Sequence, residues 1–278
     1  MSIHTPAKPI RQAKTVGETV GQSTAFEVLA RAGFVARGAI YAIIGILAIK
    51  LALGDGGKTT NQSGALKTIA HQPFGHVLLI LTAVGLAGYA LWRFVHVALG
   101  HGPEKRDSTM DRVGALGSGV AYALICAIAV SILLGSGSSS SGSPQKPAAG
   151  VLGWPGGPWI VGLAGVVLCG VALYQAYRGL SHDFLDDSKT EDMSPAVRKW
   201  ITWIGTWGHL ARAVVFGMIG VFVIKAAVDY NPSKAVGLDG ALAKLANHSY
   251  GSWLLGIVAA GLVAFALYSL SDARYRRI

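Results

Sequence analysis

Carboxylates are scarce in this chain, and scarcest where an ion-driven membrane protein would use them. The 278 residues hold 14 Asp and Glu against 24 Lys and Arg. None of the acids falls well inside an apolar run, and Asp229 and Asp272 stand only at run ends. Proton- and sodium-driven transporters commonly keep a carboxylate at mid-membrane, so this shortage argues against that mechanism. Cysteine is nearly absent. Cys126 and Cys169 lie in different apolar runs, at a spacing that fits no metal motif, and read as small apolar filler. The eight histidines are spread over both ends of the runs and form no haem or metal constellation. Ser/His/Asp arrangements, glycine loops for phosphate and zinc spacings are missing too. Neither an enzyme nor a cofactor is expected. Residues 1–27 have no apolar core of their own, which excludes a cleavable signal peptide and reads as a polar cytoplasmic tail.

What is present is apolar length. The chain is 52% hydrophobic, only 14% charged, and has a mean hydropathy of +0.47. Six apolar runs, roughly 33–53, 75–99, 113–134, 158–178, 208–229 and 251–271, each supply about the 20 residues that cross ~30 Å of hydrocarbon as a helix. A soluble bundle would need polar faces that these runs do not have. The net charge of +10 follows the positive-inside rule rather than a nucleic-acid role, because no basic stripe is interleaved with aromatics. Fourteen of the basic residues flank the runs on the N-terminal side and five lie on the other. That split predicts a multi-pass protein of the bacterial inner membrane with both termini in the cytoplasm.

The runs repeat. In the odd runs Gly33, Gly114 and Gly208 share a register, as do Tyr41, Tyr122 and Phe216. Arg37 matches Arg212, with Ser118 in the middle copy. In the even runs Gly85, Tyr89 and Arg93 match Gly170, Tyr174 and Arg178, and then Gly261, Phe265 and Ser269. The units are repeat 1 at 28–100, repeat 2 at 101–181 and repeat 3 at 182–278. In the outer loops of the first and third copies, Leu66, Ile69 and Ala70, like Leu242, Leu245 and Ala246, fall at helical spacing, and short amphipathic helices on the outer membrane surface are expected there. The middle copy should lack that helix and carry a flexible Gly/Ser outer loop over 135–150.

Arg37-Gly38 with Tyr41 and Gly45, Gly119 with Tyr122, and Arg212 with Phe216 and Gly220 carry a resemblance to a family of bacterial six-span membrane proteins catalogued as domain of unknown function 1206. The resemblance covers about residues 28–275. It implies three tandem two-helix units and brings no activity or cofactor. The expected fold is an all-α integral membrane protein, six transmembrane helices as three two-helix repeats with pseudo-threefold symmetry.

Arg37, Arg93, Arg178 and Arg212 should lie at similar depth. They are read either as snorkelling orientation signals or as an inward basic ring, with Tyr41, Tyr122 and Phe216 deeper in the bundle. The acidic stretch around Asp183, Asp186, Asp187, Glu191 and Asp192 reads as a solvated linker or a docking site for a partner. A non-enzymatic module that binds membrane lipids through anionic headgroups, or a partner membrane protein, is the expected function. A channel or carrier for a small anionic solute is the alternative. No nucleic-acid partner is expected, and the sequence is silent on oligomeric state.

Overall fold

Residues 24–99, 109–135 and 145–277 are described by a computed structural model. The expected tail, up to residue 23, and the 136–144 part of the Gly/Ser loop lie outside the described residues. Within them, every long element is helical: α1 (Thr24–Ala52), α2 (Gln62–Ala70), α3 (Gly75–Leu99), α4 (Thr109–Leu133), α5 (Gln145–Leu152), α6 (Gly157–Ser181), α7 (Pro195–Val228), α8 (Leu238–Ala246) and α9 (Gly251–Tyr275). Six of these, α1, α3, α4, α6, α7 and α9, are long and apolar enough to cross a membrane. At a rise of ~1.5 Å per residue, 25 residues such as those of α3 span about 37 Å, more than the hydrocarbon core. Their outward faces are apolar: Leu81 and Val84 on α3, and Leu163 and Val167 on α6, are exposed. Apolar surface on this scale needs lipid against it.

The packing has the cyclic order expected of three repeats. Each even span meets the odd span of the following repeat: α3 packs on α4, α6 on α7, and α9 on α1. On the odd spans these three interfaces use matching positions, Gly45, Cys126 and Gly220. A Cβ on Gly45 would come within 3.0 Å of the Ala259 carbonyl oxygen, and one on Gly220 within 2.9 Å of that of Gly165. In the middle copy the Cys126 thiol donates to the Ala83 carbonyl at 3.4 Å. Small residues at these places let the helix backbones approach, the usual basis of association in lipid.

Within the repeats the symmetry breaks. The α1–α3 and α7–α9 hairpins are zipped at their glycines. A Cβ on Gly33 would sit 2.6 Å from the Gly85 carbonyl oxygen, and one on Gly208 would sit 2.7 Å from Phe265 Cα. The middle pair, α4 and α6, does not pack extensively against itself among the described residues. Gly114 and Gly170 hold the same registers as the zipped glycines, yet nothing described lies within 4 Å of a Cβ on either. The ring is complete except for this one seam.

Two expectations about the short helices need correction. α2 and α8 do not lie free on the membrane surface. Leu66 and Leu242 are buried in the main core with Ile40, Leu86 and Leu255, so these helices are folded into one end of the bundle. Asn61 starts α2 by accepting a hydrogen bond from the Gly64 amide at 3.0 Å. The middle copy also has its short helix, α5, at residues expected to be loose. Ala148 of α5 is buried against Ala226 and Ala235. The loop expected over 135–150 is therefore ordered helix from Gln145 onward. In each copy a glycine opens the following long helix (Gly75, Gly157 and Gly251), where any Cβ would collide with a carbonyl of the short helix before it. Below, the end of the bundle bearing these short helices is the loop end; the opposite end, where α1 starts and α9 finishes, is the terminal end.

Candidate functional site

The arginines of interest gather in the half of the bundle toward the terminal end, where the chain folds back over its own opening. After α6, residues 183–192 form two single turns, and Phe184, fully buried, stacks on the His209 ring at 5.0 Å. The His209 Nδ1 lies 2.8 Å from the Gly205 carbonyl oxygen, a contact within α7. A small residue at 205 admits the Phe184 ring: a Cβ there would fall 2.6 Å from Phe184 Cζ. The loop is then tied to the chain end. The Lys189 amide donates to the Tyr275 carbonyl at 2.7 Å, and the Arg277 amide to that of Asp187 at 3.0 Å. Ser194 caps α7, which begins with Pro195. The acidic stretch, expected as a solvated linker, is thus in part a packed cover held by Phe184 and Leu185.

Beneath it runs a chain of charges. Arg37 points inward and is 6% exposed. Its Nη2 donates to Asp272 Oδ2 at 2.7 Å, its Nε to Ser269 Oγ at 2.9 Å, and its Nη1 to the Tyr89 hydroxyl at 3.2 Å. Its guanidinium also lies 4.9 Å from the Phe34 ring centre and 5.2 Å from that of Phe265. Arg276 joins Asp272 at 3.8 Å and Asp187 at 2.9 Å, and Arg178 pairs with the same Asp187 oxygen. Burial alone would raise the Asp187 carboxyl. The Arg276 and Arg178 guanidiniums outweigh it and hold the group down at about 2.

The other sites named from sequence fall around this chain. Arg93 donates from Nη2 to the Tyr89 hydroxyl at 2.9 Å and lies 4.6 Å from the Trp92 ring centre. Tyr122 meets Tyr89 edge-on at 4.5 Å between ring centres, and Tyr41 meets Phe265 at 4.9 Å. Arg212, half-buried midway along α7, rests against Phe265 at 4.3 Å, Phe216 at 5.3 Å and Tyr41 at 5.5 Å. With the Gln175 amide turned so that its oxygen faces the guanidinium, that oxygen accepts from Arg212 Nη1 at 2.9 Å and Nη2 at 3.0 Å.

Arg37, Tyr89, Asp272, Arg276, Asp187 and Arg178 therefore form one connected group, with Arg212 apart from its carboxylates. Asp272, Arg276 and Gln175 were not foreseen as site residues, and Asp187 figured only in the acidic stretch read as a linker or docking site. The one sequence signal for the loop's burial was the apolar pair Phe184-Leu185 inside an acidic stretch. Among the described residues, no group of His, Cys, Asp and Glu is placed to hold a metal ion.

A family model described as Domain of Unknown Function (DUF1206) matches residues 32–109, 113–182 and 207–276, one match per repeat. The chain is also similar to the "Uncharacterized protein YxxB" of Bacillus subtilis (strain 168), 33% identical over 251 residues that cover 89% of this chain and 90% of the relative. No solved structure matches.

Proposed function

On the premise that the chain belongs to the DUF1206 family, we propose that it is a non-enzymatic membrane module that gathers anionic lipid headgroups at the terminal end of its bundle. The observation that carries this reading is a charge imbalance. Arg37, Arg93, Arg178, Arg212 and Arg276 converge in that half of the molecule, against Asp187 and Asp272. A cation away from water is costly unless an anion meets it, and phosphate matches the planar guanidinium fork. A channel for a small anion would need an open path along the bundle axis. Tyr41, Tyr89 and Phe265 are instead buried and packed ring against ring with their neighbours, which favours the closed module.

We read the terminal end as cytoplasmic and the membrane as the bacterial inner membrane, because the excess of Lys and Arg flanks that end. A reporter active only in the cytoplasm should therefore work when fused at Asp107 and be silent at Lys146. The lipid reading is tested in nanodiscs of phosphatidylcholine with and without phosphatidylglycerol. The anionic lipid should raise the melting temperature, less so as salt increases. Equal melting temperatures in the two lipids would rule the reading out.

A further inference from the structure

Arg37 and Arg212 occupy the same register of the repeat, so the surroundings of the first predict those of the second. Arg37 takes its partners from two helices. Tyr89 comes from its own hairpin, and Ser269 and Asp272 from the even span of the neighbouring repeat. Carried through the repeat register, those three positions become Phe265, Arg178 and Ser181 around Arg212. The phenol has lost its hydroxyl, a second cation replaces the serine, and the carboxylate is gone. Arg178 is already paired, with Asp187. Among the described residues no carboxylate forms an ion pair with Arg212, and its polar contact is the Gln175 amide oxygen.

We propose that Arg212 and Gln175 bind an external anionic group, which supplies the negative charge that Asp272 gives Arg37. Arg212 sits, half-buried, about one turn inside the terminal end of the apolar run 208–229, where an uncompensated cation still loses part of its hydration. Aromatic faces line its approach but supply no counter-charge. Gln175, itself 7% exposed, turns its oxygen to the guanidinium. A water-sized cavity of about 20 Å³ borders Arg212 with Tyr41, Gln62, Phe216 and Leu238, on a side that Gln175 does not line. The chemistry suits either the phosphate end of a lipid or a free inorganic anion. The inference rests on the lipid-binding reading only if the phosphate arrives on a lipid.

The test measures thermal stability of the wild type, Arg212→Gln and Gln175→Glu. In phosphatidylcholine nanodiscs, inorganic phosphate is titrated. In a parallel arm, phosphatidylglycerol replaces part of the lipid. A wild-type rise in the first arm identifies a free anion as a ligand, and a rise confined to the second identifies a lipid headgroup. Arg212→Gln should abolish the rise in whichever arm shows it. Gln175→Glu builds the missing carboxylate in place, so it should raise the melting temperature without ligand and remove the response. Because Gln175→Glu keeps the shape of the side chain, it decides the matter even if Arg212→Gln fails to fold. A wild-type response retained by Gln175→Glu would overturn the inference. Were that retained response to phosphatidylglycerol, it would leave lipid binding at the other arginines standing. No response of the wild type in either arm would also overturn it.

Discussion

In the first repeat Arg37 is enclosed by a carboxylate, a serine hydroxyl and a phenol; in the third, Arg212 at the same register meets an amide and aromatic faces. The two helices that carry them share their local sequence, so the difference comes from the neighbours. Repeats 1 and 3 each place an arginine, but only repeat 3 supplies the aspartate that answers it, and it supplies it to repeat 1. A duplicated residue need not keep a duplicated role. Its partners come from the adjoining copy, and that copy can change. The hairpins teach the same lesson. Gly33 against Gly85 and Gly208 against Phe265 are zipped, whereas among the described residues Gly114 and Gly170 keep the glycines without the contact.

The largest effect is expected from removing the shared aspartate. Asp272→Leu leaves Arg37 and Arg276 buried without that carboxylate and should cost about 3–5 kcal/mol of unfolding free energy in detergent. Ser181→Leu, at the matching place in repeat 2 and exposed, should be nearly silent. A comparable loss for both would show that the register does not dictate the partners.

Asp187→Asn comes next. Its carboxyl is held at about 2, below the ordinary value near 3.9, so the ionised form is favoured in the folded state. That stability is fully present above about pH 5 and is lost as pH falls through about 2, a contribution of about 2–3 kcal/mol. The asparagine variant should be weaker by that amount at neutral pH and show less acid sensitivity between pH 4 and 2. A variant as stable as the wild type at neutral pH would mean that the loop cover is held by Phe184 rather than by charge.

The glycines sharpen the hairpin contrast. Gly33→Ala and Gly208→Ala force backbones apart and should each cost about 1–3 kcal/mol. Gly114→Ala and Gly170→Ala meet no neighbour among the described residues. They should be neutral or gain up to about 1 kcal/mol from helix propensity. Losses of similar size at all four positions would mean that α4 and α6 close on each other in the membrane.

Much of this was legible beforehand. The spans, their pairing into three units and the inward face bearing Tyr41 follow from apolar length and repeated register, which local sequence carries. The ionic chain was not. Asp272 stands at a span end, where a carboxylate ordinarily meets water, and Asp187 lies in a stretch of charge. Both are buried only because the loop after α6 folds back under Phe184 and pairs with the chain end, contacts between residues almost ninety apart in sequence. α5 was missed because its apolar positions, Ala148, Val151 and Leu152, are few and follow a Gly/Ser run. The open α4–α6 seam could not be read at all, since its glycines match those of the closed hairpins.

The contrast between the two arginines is tested most directly by Arg37→Leu and Arg212→Leu, made singly and melted in phosphatidylcholine nanodiscs without added anion. Arg37→Leu should lower the melting temperature sharply, because it takes from the buried Asp272 its 2.7 Å partner and leaves only the longer contact to Arg276. Arg212→Leu should lower it much less, because among the described residues it leaves only the Gln175 amide oxygen, and no carboxylate, without its partner. Equal losses in the two variants would contradict the assignment of Arg212 as a site awaiting its anion.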